Sequence, residues 1–102
     1  MGKQRIGLAG LISAGFEQIT TNTTATSLNS TIRGAAHVLD ISVSTDEVRY
    51  RADGTAPTQN TGVILQVDNT YRFEGFNGTA SLQFIKAQST AGVLDVQGWS
   101  HE

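Results

Sequence analysis

The chain has two imidazoles, His37 and His101, and no cysteine, so the chemistry open to it is narrow. Nucleophilic catalysis needs a serine, threonine or cysteine beside a base, with a third group orienting that base. No serine here stands in a nucleophile-elbow sequence, and without thiols neither a disulfide framework nor a thiolate metal site can form. His101 is the penultimate residue, a poor place for rigid catalytic geometry. His37 falls on the parity of Leu39, Ile41 and Val43 and reads as a satisfied or half-buried histidine rather than a ligand or base. The carboxylates Asp40, Asp46, Glu47, Asp53, Asp68, Glu74 and Asp95 are scattered over turns and polar strand positions. Asp46, Glu47 and Asp53 together could offer oxygens to calcium, but their spacing matches no calcium loop, and solvated turn residues are expected. The glycines form no phosphate-binding motif. No catalytic residue, metal ligand or cofactor is expected, which leaves a binding or structural module rather than an enzyme.

Recognition is a different matter from catalysis. Arg49, Arg51 and Arg72 occupy the polar parity of their strands, where they either form cross-strand ladders or meet the carboxylates of a partner. Tyr50, Tyr71, Phe73, Phe76 and Phe84 fall mostly on the parity of core candidates, whereas Trp99 shares parity with Asp95 and Gln97. Trp99 is the aromatic residue that could anchor a subunit boundary. A carbohydrate-binding module would need several aromatics on one exposed face.

The elements that must position these groups are strands. The chain has 102 residues, 16% charged, with 11 glycines and much Thr and Ser, the balance of a single β-rich domain with many turns. A net charge of -2 supplies no uniformly basic footprint, so nucleic acid is not an expected partner. The period-2 pattern predicts seven or eight short strands and almost no helix: an antiparallel β-sandwich of jelly-roll type. Leu39, Ile41, Val48, Tyr50, Leu65, Phe73, Leu82, Phe84, Leu94 and Val96 are its expected core. Val63 to Val67 is apolar enough to be buried on both faces, and Thr20 to Ser30 reads as one short strand within a loop. Asp68-Asn69 and Asn77-Gly78 mark tight turns, the latter a hairpin signal. Asn22, Asn29 and Asn77 open Asn-x-Ser/Thr sequences that read as chance matches in a Thr-rich chain.

Residues 1–15 are Gly-rich and apolar, with Lys3 and Arg5 their charges. Gly7, Gly10 and Gly15 break the run, so neither a secretory signal nor a membrane span of about 20 residues is expected. The division read from the sequence is an N-terminal arm, 1–15, and a sandwich domain, 16–102. Ile6, Leu8, Leu11 and Ile12 either form an edge strand of their own domain or add to a neighbouring subunit by strand pairing.

The stretch Val48-Arg49-Tyr50-Arg51-Ala52-Asp53-Gly54-Thr55-Ala56-Pro57-Thr58-Gln59-Asn60-Thr61-Gly62-Val63 is a strand, a DGTAPT turn and a second strand. With its surroundings from Ala36 to Trp99 it resembles the small all-β virion proteins of tailed bacteriophages, in particular capsid decoration or cement proteins. That resemblance implies a homotrimer made in the host cytoplasm and seated on the capsid surface, with the major capsid protein and copies of itself as partners and no membrane. The candidate interface is then Ile6, Leu8, Leu11, Ile12, Arg49, Arg51, Arg72 and Trp99. A tail, baseplate or fibre-associated β-domain is the nearest alternative, and a carbohydrate-binding module the second.

Overall fold

A computed structural model describes residues 10–74 and 81–101. Eight strands and one short helix follow in the order β1 (Leu11–Thr20), β2 (Thr26–Ser27), α1 (Ser30–Ala35), β3 (Val38–Ser44), β4 (Val48–Arg51), β5 (Val63–Leu65), β6 (Thr70–Glu74), β7 (Gln83–Lys86) and β8 (Val93–His101). They make two four-stranded antiparallel sheets, ordered β1-β8-β3-β6 and β2-β7-β4-β5. This is jelly-roll order. Doubling the chain back at the β4–β5 connection pairs β4 with β5, β3 with β6, β2 with β7 and β1 with β8, and the doubled ribbon then wraps into two layers.

The alternation that makes these strands also makes the core. From the first sheet come Ile19, Leu39, Ile41, Val43, Leu94 and Val96, and from the second Val48, Leu65 and Phe84; Leu28, Ile32 and Leu82 join them. Full burial of such a side chain stabilises by roughly 1.5–3 kcal/mol. Eight of the ten expected core residues are buried, while Tyr50 and Phe73 are half-buried at the cluster's margin. Their rings meet edge to face, with centroids 5.1 Å apart and planes at 84°.

Helix α1 was not expected. Asn29 caps it, its side chain accepting a hydrogen bond from the Ile32 N–H at 2.9 Å, the usual capping role of asparagine. Its anchor is Ile32, which is fully buried. Gly15 of β1 pairs with Gly98 of β8, and a Cβ at either position would come within 3.2 Å of Ile32. The two glycines thus leave a notch in the first sheet that the helix fills with one side chain.

Other expectations need correction. Leu11–Thr20 is one edge strand paired along its length with β8, so it runs through the arm boundary expected at residue 15. Leu11 and Ile12 belong to the sheet of their own domain, whereas Ile6 and Leu8 lie outside the described residues. Residues 63–67 are not buried on both faces. Val63, on the sheet-edge strand β5, is 56% exposed, Leu65 is buried, and Val67, 36% exposed, lies in the turn beyond the strand. His37 is exposed: β3 begins at Val38, and the preceding residue leaves the pleat with its N–H bonded to the Trp99 carbonyl at 2.7 Å. Asp68 does occupy a turn, with φ 65°. Phe76 and the Asn77-Gly78 turn lie outside the described residues.

Candidate interaction surface

The three arginines of the candidate interface, read as either ladder residues or partner contacts, each have partners within the domain. Arg49 of β4 donates from Nε to the Gln59 carbonyl and from Nη1 to the Gly62 carbonyl, both at 2.8 Å. These bonds turn the 53–62 loop back over its own strand, where Pro57 is buried. A Cβ on Gly62 would stand 3.0 Å from the Tyr50 carbonyl oxygen and 3.3 Å from the Pro57 Cβ, and its φ is +142°. The DGTAPT motif is therefore a loop closed by Arg49 and a glycine. Arg51 pairs with Asp53 in bidentate fashion through Nε and Nη2, which lowers the Asp53 pKa and raises that of Arg51. Asp46 and Glu47 precede β4 and Asp53 follows it, so the three carboxylates conceived as a calcium group sit at opposite ends of one strand.

Arg72 of β6 lies across from Asp40 of β3 and binds it in bidentate fashion, with Nε and Nη2 each 2.8 Å from a carboxylate oxygen. Trp99 of β8 donates its indole N–H to the same carboxylate at 2.9 Å. The Arg72 guanidinium is the main cause that holds the Asp40 pKa below 3.8; partial burial opposes it, and the Trp99 indole adds a smaller lowering effect. Trp99 is thus a tethered, half-buried residue.

A consequence can be read optically, because Trp99 is the chain's one tryptophan. A folded-state pKa below the unfolded one means that Asp40 contributes its stability above the ordinary carboxylate range and loses it as pH falls through the lower folded value. Trp99 emission should therefore change in a step below pH 3.8. In Arg72→Ala the step should move to higher pH, since the largest cause of the shift is gone. An unmoved step in that variant would break the assignment.

Other polar side chains on the outer face of this sheet are also paired internally. Gln18 donates to Asp95 at 2.9 Å, Gln97 to Ser13 at 2.9 Å, and the Ser42 and Thr70 hydroxyls meet at 3.0 Å. Unsatisfied recognition capacity lies instead at the β1 edge, where Ile12 is 51% and Phe16 60% exposed. Phe16 was missed by sequence reasoning, although its parity with Gln18 and opposite Ile19 marks it as outward. Among the described residues no group of three or more His, Cys, Asp and Glu is placed to hold a metal, and no helix is long and apolar enough to cross a membrane. A shallow cleft of about 440 Å³ is lined by Tyr50, Arg51, Ala52, Asp53 and Val63. Its two charged groups, Arg51 and Asp53, are paired with one another.

No protein-family model, curated protein or solved structure matches the chain.

Proposed function

We propose that this domain is a structural protein of a phage virion, a capsid decoration protein that binds the assembled shell and so stabilises it by mass action. The observation that carries the reading is the exposed β1 edge. It is ten residues long, displays Ile12 and Phe16 to solvent, and is continuous with the apolar segment containing Ile6 and Leu8. An edge strand lacking lysine and proline offers main-chain hydrogen bonds and apolar contacts to a neighbour. With Arg49, Arg51 and Arg72 already paired, attachment runs through β1 and the preceding residues, with a trimer as the proposed assembly. The jelly roll, an architecture found among viral capsid and lectin domains, supports this by analogy alone, since fold does not imply function.

Two measurements test it. Mass spectrometry with copy counting on purified virions of the encoding phage should find hundreds of copies; a handful would move the protein to the tail, and none would remove it from the virion. Adding purified protein to shells that lack it should give saturable binding. That binding should fall sharply on deletion of residues 1–9 or on Phe16→Asp, with the far-ultraviolet dichroism of a folded β-domain retained. Undiminished binding by both variants overturns the role given to this edge.

A further inference from the structure

The fold brings the chain's two histidines together. His37, between α1 and β3, and His101, at the end of β8, stack with ring centroids 5.5 Å apart and planes at 25°, and both side chains are exposed. Backbone pairing fixes the arrangement. The His37 N–H donates to the Trp99 carbonyl, Val38 pairs with Trp99, and His101 pairs on its other side with Leu11 of β1.

We propose that His37 and His101 form a two-imidazole site for a borderline divalent transition metal, of the zinc, nickel and copper class, with water completing the coordination. Two imidazoles bound to one tetrahedral ion by Zn–N bonds of about 2.0–2.1 Å place their ring centroids about 5 Å apart. The observed separation therefore demands little more than side-chain rotation, and exposure leaves both rings free to make it. Neutral ring nitrogens select these ions over calcium and magnesium, which prefer oxygen. A bound ion would tie the start of β3 to the end of β8. Since the unfolded chain does not hold the two rings together, binding favours the folded state. This site is independent of the proposed virion role.

The test uses the untagged full chain and Zn²⁺ alone. Zinc should raise the melting temperature saturably and reversibly with chelator, and should perturb the imidazole carbon–proton resonances of both histidines together, while Mg²⁺ at the same concentration does neither. His37→Gln and His101→Gln, both at exposed positions, should each abolish the zinc-induced shift. A zinc shift that persists in either variant, or a wild-type protein whose imidazole resonances ignore zinc, overturns the proposal.

Discussion

Replacing Phe84 by Ala should destabilise the domain by about 3–5 kcal/mol, the usual cost of truncating a fully buried aromatic residue. Phe84 sits on β7, an interior strand of the second sheet, paired on one side with Tyr50 of β4 and on the other with Thr26 of β2. It is the largest fully buried side chain of the described core, with no solvent exposure. Strands on both flanks hold the surrounding backbone, so little collapse into the vacated space is open to it. Such a loss is a large share of the 5–15 kcal/mol typical of a small domain. Urea titration should show a lower midpoint with an unchanged slope if the denatured state is unaltered. Phe16→Ala, on an edge strand with its ring 60% exposed, should fall within about 0.5 kcal/mol of wild type. A Phe84 variant costing under about 1 kcal/mol would mean that the two sheets do not pack through this ring.

The contrast between these phenylalanines also shows what could be read from the sequence. Inside the sheets, period-2 parity is enough: Leu39, Ile41 and Val43 on β3, and Leu94 and Val96 on β8, face the core as alternation requires. Parity says nothing about where a strand sits in its sheet. Val63 to Val67 is as apolar as a central strand, yet β5 is an edge that exposes Val63, and Val67 lies exposed in the turn beyond it. Parity also fails at strand ends, which is why His37 departs from the face of Leu39. Helix α1 was hidden by its length, since six residues with Gly34 among them carry no period of their own and depend on Ile32 filling the Gly15–Gly98 notch.

Candidate interface residues were legible as types but not as pairs. Arg72 stands out in sequence as an outward arginine, but its partner Asp40 is far away along the chain and meets it only because jelly-roll winding sets β3 beside β6. The same winding brings Trp99 to that carboxylate and His101 to His37. Arg49 could be read as solvent-facing, yet its guanidinium donates to the loop carbonyls of Gln59 and Gly62 and so closes the 53–62 loop. Side chains that look available to another molecule in a linear reading are the ones a short loop uses to satisfy its own backbone.

Gly92→Ala should destabilise the fold by about 1–3 kcal/mol or more, the range for forcing extra volume into a packed site. The added Cβ would stand 2.3 Å from the carbonyl oxygen of Asp46 and 2.5 Å from a methyl of Val48. The first of these is main chain, so no side-chain rotation relieves it. The site joins three elements: Gly92 precedes β8, Asp46 lies in the β3–β4 turn, and the Gly92 carbonyl accepts from both the N–H and the hydroxyl of Thr21, at 2.9 and 2.7 Å. Thr21 is 3% exposed, so moving Gly92 to make room leaves buried polar groups without their acceptor, which adds to the cost. Gly34→Ala separates this steric effect from a general effect of replacing glycine. Gly34 lies in α1 with nothing within 4 Å of its would-be Cβ, and alanine there should stabilise by about 0.5–1 kcal/mol through helix propensity. Opposite shifts of the urea midpoint for the two variants are expected. A Gly92→Ala protein that unfolds at the wild-type midpoint would mean that the β3–β4 turn and the start of β8 do not approach this closely, and the contact between the two sheets at this end would have to be redrawn.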